Sequence, residues 1–241
     1  MQAIVLEQKG GPEVLRMKTV PDPLPGPEEV LVALRSTAVN RADLLQRMGL
    51  YPGPPMPHEI PGLEFAGTVA EVGARVSEHA VGDPVMGIAN GGCYAEQIAV
   101  HERQAMRVPP ALDLADAGAF PEVFITAWDA LVRQGGLTSG RWALVHAGII
   151  QVGVLAQGAV PFDVGILMRK RATLTGTTLR ARPIEQKIAI TREFAAQMLP
   201  HVAAGRLAPV IDSRYPLAEV ASAHARMAAN ANAGKLVLDV A

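Results

Sequence analysis

The stretch from Gly140 to Gly158, GRWALVHAGIIQVGVLAQG, limits the architecture more than any other part of this chain. Trp142 to His146 reads as a buried strand and Ile149 to Leu155 as a second strand-like run, with only Ala147-Gly148 between them. Parallel neighbours in a sheet need a crossover of about a dozen residues or more. Two residues allow a tight hairpin or one long bent strand, and neither makes a βαβ unit. A nucleotide-binding unit would continue from such a strand into a glycine loop and a helix whose N-terminus faces the pyrophosphate. Neither G-x-G-x-x-G nor a variant glycine loop follows Gly148, and that helix is missing from the sequence as well.

Upstream the chain reads as β. Ala3 to Gln8, Val14 to Val20 and Glu29 to Val39 are strand-like, the last alternating along much of its length. Asn40 to Gly49 reads as a short helix ending at glycine. YPGPPMPHEIPG, with five prolines, is an ordered loop, because proline removes ladder donors and breaks helices. EFAGTVAEVG, DPVMGI and CYAEQIAV are short strands between glycine turns, a pattern that suggests a small barrel or sandwich. Near Leu112 the character changes. LDLADAGAF and PEVFITAWDALVRQG read as helices, the second with Pro121 in its first turn and Gly135-Gly136 as its stop. A β-branched strand follows at roughly 172–179, then an amphipathic helix at about 183–205, the strand APVIDSRYP, a helix with Pro216 at its start and Gly234 beyond its end, and the strand KLVLDV.

The 241 residues suit one large domain or two small ones, and 49% hydrophobic against 19% charged residues specifies a folded chain. Lys plus Arg is 22 and Asp plus Glu is 23, which gives no general attraction to nucleic acid or an acidic membrane surface. Cys93 is the sole cysteine, so a disulfide framework and a multi-cysteine zinc site are excluded. The N-terminus does not read as a signal peptide, and no apolar run approaches the ~18 residues of a membrane span. These features set the expectation of a soluble, cytoplasmic protein.

STAVNRADLLQRMGLYP, PGLEFAGTVAEVG, VGDPVMGI, GGCYAEQIAV, FPEVFITAWDALVRQGGL, LVHAG, RKRATLTGTTLRARP and AGKLVLDV occur in that order. Together they resemble the zinc-independent NADPH:quinone oxidoreductases of the medium-chain dehydrogenase/reductase superfamily, over nearly the whole chain. The resemblance implies a mixed α+β fold: a GroES-like β-barrel catalytic domain at 1–121 plus 206–241, and at 122–205 a truncated remnant of a Rossmann domain. In such relatives the VHAG strand leads through several βα units to a strand that IIQVGVLAQG resembles. The sequence therefore looks cut and rejoined near 148–149. Intact, in-frame flanks favour a deliberate deletion over a natural one or a damaged gene product.

The resemblance also suggests site residues. Asn40, Asp43 and Tyr51 match positions lining the cleft by the nicotinamide and the quinone. For Asn40 the alternative is a helix cap, and for Tyr51 a ring that pins the loop. Thr126, Leu179 and Arg180 match positions near the cofactor, as do Gly234 and Lys235. A lone Thr in an apolar helix also suits structure, and Gly234 suits an ordinary helix C-cap. Arg182 reads as a solvated charge, Cys93 as a small buried hydrophobe at a strand start, and His146 as structural. Zinc-dependent relatives carry Cys at the position of Asn40 and His-Glu at Leu63-Glu64. Asn and Leu cannot replace a thiolate and an imidazole, and a catalytic zinc needs three protein ligands.

Relatives use NADPH to reduce a quinone or a similar conjugated carbonyl, with the protein supplying proximity and orientation. This chain keeps the substrate-side motifs and lacks the phosphate loop. One expectation is a catalytic-domain portion that binds no NADPH or binds it weakly. The other is a non-enzymatic module that dimerises through its residual strands, 149–155 and 172–179, since exposed sheet edges invite pairing.

Overall fold

A computed structural model describes residues 1–51, 53, 55–138, 148–151, 164–170 and 173–240. The chain divides into two compact units, one of Met1–Glu122 with Thr191–Ala241 and one of Val123–Ile190.

The first unit is built on β3 (Glu29–Val39), whose Val30, Val32, Ala38 and Val39 are fully buried. Buried residues follow one another along it, so both faces of the strand are covered. β4 (Glu64–Val72) pairs antiparallel with β3 over most of its length. β6 (Gln97–His101) pairs with the first half of β3, and β11 (Lys235–Asp239) with the last residues, both antiparallel. Register shifts at Leu31/Val32 and Leu34/Ser36 interrupt the β3–β4 ladder, and such bulges bend a sheet. β5 (Pro84–Ile88) and β7 (Ala105–Arg107) extend the sheet beyond β4, and β10 (Ile211–Pro216) lies parallel to β11. The C-terminal strand therefore completes a sheet begun by the N-terminal third, which makes this unit discontinuous in sequence.

β1 (Gln2–Leu6) and β2 (Leu15–Thr19) form an antiparallel pair, with a 3-10 turn at Pro12–Val14 leading into β2. Ile4, Val30, Phe65, Tyr94, Val220 and Leu236 belong to one continuous apolar core. Around it lie α1 (Arg41–Arg47), α2 (Leu114–Ala117) and α6 (Val220–Ala228), the last preceded by a 3-10 turn at Leu217–Glu219. Gly234 is not the cap of α6. The helix ends at Ala229, and Asn230 takes the left-handed conformation with φ 52°. Asn tolerates that region because its short side chain can bond locally. Gly234 itself has φ 148°, and a Cβ there would meet the Val210 carbonyl oxygen at 2.6 Å. It is required by the close approach of β11 to the chain entering β10. Cys93 is fully buried, as a small hydrophobe should be, but it lies in the loop before β6 and not at a strand start.

α3 (Pro121–Trp128) widens into a π-helical turn at Asp129–Gln134, where the Gly135 N–H donates to the Ala130 carbonyl at 2.8 Å. In the second unit β8 (Gly148–Gln151) and β9 (Thr173–Gly176) pair in parallel, with α4 (Val164–Lys170) between them in the chain. This is a parallel crossover whose helix the sequence pattern did not reveal: Gly165 and the β-branched Val164 and Ile166 lower helix propensity. β9 is shorter than the strand read at 172–179, because the chain turns after Gly176 and the Arg182 N–H bonds the Leu179 carbonyl at 3.1 Å. The strand read at Trp142–His146, together with His146 and residues 152–155 of the following run, lies outside the described residues, so the fold of the seam does too. α5 (Ile184–Ala203) follows much as read. Among the described residues no helix is long and apolar enough to cross a membrane.

Candidate functional site

The polar centre of the first unit is assembled where β3 passes into α1. Asn40 is extended (φ −118°, ψ 153°) and stands at the N-cap of α1. Three residues on, the Asp43 carboxylate accepts the Asn40 N–H at 2.8 Å, the reciprocal half of a capping box. The same carboxylate accepts the Tyr94 hydroxyl at 3.1 Å and the Gly62 N–H at 3.2 Å. Gly62 has φ 97°, and a Cβ there would lie 2.6 Å from the Tyr94 ring and 2.8 Å from the Tyr94 nitrogen. Only glycine permits this approach.

On the other side of Asn40 lies an ion pair. The Lys235 ammonium donates to Asn40 Oδ1 and to Glu64 Oε1, each at 2.6 Å. The Asn40 amide NH₂ also donates to Glu64 Oε1, at 2.8 Å. Glu64 Oε2 accepts the backbone N–H of Glu122 at 3.0 Å, at the start of α3. The Glu64 side chain is fully buried and that of Lys235 is 11% exposed. Three elements distant in sequence, the β3–α1 junction, β4 and β11, thus meet in one charge-compensated cluster. A buried carboxylate is tolerable only when paired and hydrogen-bonded on both oxygens, and Glu64 meets that condition.

His224, on α6, completes the arrangement. Its Nε2 lies 3.2 Å from the Tyr94 hydroxyl, and the two rings meet edge to face at 5.8 Å. Burial raises the Asp43 carboxyl to about 6, against the opposing hydrogen bonds from Asn40 and Tyr94 and the charge of Lys235. Burial and the neighbouring Asp43 push the Tyr94 phenol well above its ordinary range. Burial, with the Arg47 charge, lowers His224 to about 3. At neutral pH the cluster therefore holds an ionised Asp43 beside a neutral tyrosine and a neutral histidine.

Asn40 and Asp43, expected in the cleft, and Lys235, expected near the cofactor, are brought together. Asp43 does not face a cleft. It is fully buried with both oxygens occupied, so it acts by holding Asn40 and Gly62 in place. Tyr51 is half-buried in the proline-rich loop after α1. Gly234 precedes Lys235 and its carbonyl accepts the Asn232 amide at 2.7 Å. The sequence reading missed Tyr94 and His224. The available signals were weak: a Tyr after two glycines, and a His in an alanine-rich helix.

This cluster does not suit a metal. Asn40 and Glu64 both hold the Lys235 ammonium, so a second cation there would meet a fixed positive charge. Among the described residues no group of three His, Cys, Asp or Glu could hold a metal ion.

The second unit has its own polar centre. Arg182 grips the Asp129 carboxylate with both terminal nitrogens, Nη1 to Oδ1 at 3.1 Å and Nη2 to Oδ2 at 2.7 Å. Its Nε donates to the Thr178 carbonyl at 2.8 Å, and Nη2 also bonds the Thr177 hydroxyl. Arg182 is therefore not a solvated charge. Its side chain is 15% exposed, and a buried Asp129 at 1% exposure demands a forked cationic partner. A cavity of about 540 Å³ lies alongside, lined among others by Arg133, Thr177, Thr178 and Arg182. Thr126, Leu179 and Arg180 are half-buried. The Lys187 ammonium donates to the Arg180 carbonyl at 3.4 Å, and its pKa is lowered by burial and by the Arg180 charge.

Among the described residues the parallel sheet of this unit has two strands, and Arg182, a guanidinium suited to phosphate, is paired with Asp129.

Comparison with known proteins agrees with this anatomy. Residues 26–133 match the alcohol dehydrogenase GroES-like domain family, and residues 131–238 match the zinc-binding dehydrogenase family. The human synaptic vesicle membrane protein VAT-1 homolog is 36% identical over 159 residues, covering 65% of this chain and 40% of that protein. The chain thus spans about 40% of the length of the curated relatives it first matches. Among solved structures, a Pseudomonas syringae quinone oxidoreductase superposes with a TM-score of 0.82 at 19% identity, covering 99% of both chains. A mycobacterial protein solved in complex with NADPH gives 0.82 at 20% identity, covering 100% of both. At such identities the likeness is one of fold. The two family matches cover successive halves of the chain, and its fold is that of the medium-chain dehydrogenase/reductase superfamily.

Proposed function

We propose that this chain is the catalytic-domain portion of an NADPH-dependent, zinc-independent quinone oxidoreductase in which cofactor binding and hydride transfer are lost or severely weakened. The observation that carries this reading is in the sequence: neither G-x-G-x-x-G nor a variant glycine loop follows Gly148, and Gly148–Gln151 is already strand β8. β8, α4 and β9 are then the last units of a Rossmann domain whose centre is absent through an internal deletion. Backbone donors for the pyrophosphate have no counterpart in the sequence. The Lys235 ammonium held between Asn40 and Glu64 supports zinc independence. The superfamily's NADPH chemistry, in which the cofactor supplies hydride and the protein orients it, supports the substrate class. The test is steady-state oxidation of NADPH in the presence of a benzoquinone. No turnover above the protein-free rate is expected, and sustained turnover would refute the reading.

A second reading is favoured by β9. Leu174 is 44% exposed and Thr173 is exposed, in a sheet of two strands among the described residues. Such an edge suits pairing with another copy, so the chain would be a cytoplasmic homodimer joined through 149–155 and 172–179. Sedimentation at micromolar concentration should give the dimer mass, and a monomer would exclude this reading.

A further inference from the structure

Arg47 closes α1, and its residue is 4% exposed. Its Nε and Nη1 are buried and have no hydrogen-bond partner among the described residues. A guanidinium cannot relieve this by losing its proton. Buried charged donors in folded proteins are nearly always bonded, to protein or to ordered water. Across from α1, on the helix α6 that packs against it, His224 is fully buried and its Nδ1 also lacks a partner among the described residues. Arg47 lies one turn after Asp43 on the same face of α1, and Asp43 bonds the Tyr94 hydroxyl that meets His224, which places these groups in one neighbourhood.

The hydrogen bonds already present fix what His224 can offer. The Tyr94 hydroxyl has one proton, and it goes to Asp43. The contact between Tyr94 and His224 then needs a proton from the histidine, so Nε2 carries the hydrogen. A neutral imidazole with Nε2–H has a lone pair on Nδ1. The unpartnered atoms are thus cationic donors from α1 and one acceptor from α6. An anion without a proton, such as chloride, could accept from Arg47 but give nothing to Nδ1, and a cation would be repelled. Water both accepts and donates.

We propose that the Arg47–His224 niche is a binding site for a single internal water that accepts from Arg47 and donates to His224 Nδ1. The water closes a relay running from Arg47 through His224 and Tyr94 to Asp43. The relay fixes the histidine tautomer and aims the Tyr94 hydroxyl at the carboxylate that holds Asn40 and Gly62. Arg47 and Asp43, the cation and the anion at its ends, are thereby linked without touching. This inference does not depend on the reading of cofactor loss.

The test combines a high-resolution crystal structure with nitrogen-15 spectra of histidine-labelled full-length protein at pH 7. One ordered water within hydrogen-bond distance of both Arg47 and His224 Nδ1 is expected, with His224 wholly in the Nε2–H form and Nδ1 shifted as a bonded acceptor. Arg47→Met should remove the donor, and the Nδ1 resonance should move towards its unbonded position. Direct contact of Arg47 with His224, an anion in the niche, or an Nδ1–H histidine would overturn the proposal. Should Arg47→Met not fold, the parent spectrum and the crystal structure still decide it.

Discussion

Lys235 is the residue on which the barrel unit's buried charge depends. Removing it by Lys235→Met leaves the buried Glu64 carboxylate without its counter-charge. Breaking a buried pair in this way costs about 3–5 kcal/mol, which urea unfolding should register as a lower midpoint. Adding Glu64→Gln should return most of that loss, because the amide needs no counter-ion. Asp43 and His224 give a second test, through pH. The Asp43 pKa is raised from 3.8 to about 6, so its contribution to stability is full below pH 3.8 and is lost as pH rises through 6. The His224 pKa is lowered from 6.5 to about 3, so its contribution is full above 6.5 and is lost as pH falls towards 3. Between pH 6 and 4 the two slopes oppose one another, each about 1.4 kcal/mol per pH unit. His224→Phe should therefore gain stability, relative to the parent, on acidification from pH 6 to 4, and Asp43→Asn should lose it. Parallel stability–pH curves for parent and variants would contradict this. At this scale the sequence revealed Asn40, Asp43 and Lys235 through their motifs. It could not reveal that Asp43 is sealed from solvent, because that follows from Gly62 and Tyr94 arriving from a loop far along the chain. Arg182 read as a surface charge for the same reason: its partner, Asp129, is distant in sequence and is presented by a π-helical turn that no periodicity marks.

At the scale of elements, β3 and α5 were legible almost to the residue. β3 is a long run rich in β-branched and apolar residues, and α5 has a long amphipathic repeat. The short strand β9 and the helix α4 were not, since a four-residue strand and a seven-residue helix carry too little pattern to outvote their propensities. The second unit should be sensitive to the Asp129–Arg182 pair, which ties the π-helical turn to the chain after β9. Arg182→Ala would strand a carboxylate at 1% exposure, at about 3–5 kcal/mol. Amide exchange should then show faster opening at residues 129–134 and 177–190, with β3, β4 and β11 unchanged. Equal loss of protection in both groups would mean that the pair stabilises more than its own unit.

For the molecule as a whole, the two units differ in what they hold. The barrel unit keeps a complete, charge-compensated polar cluster and a continuous core. The second unit keeps one parallel crossover and a cavity of about 540 Å³ beside a neutralised arginine. The short strands between glycine turns foretold a β-rich first unit. On the proposed function, the substrate side survives while the cofactor's phosphates find no donors. Titration of the protein with NADPH, followed by nicotinamide fluorescence, checks this. No saturable signal is expected at micromolar NADPH from a folded protein. Saturation with a micromolar dissociation constant would contradict it.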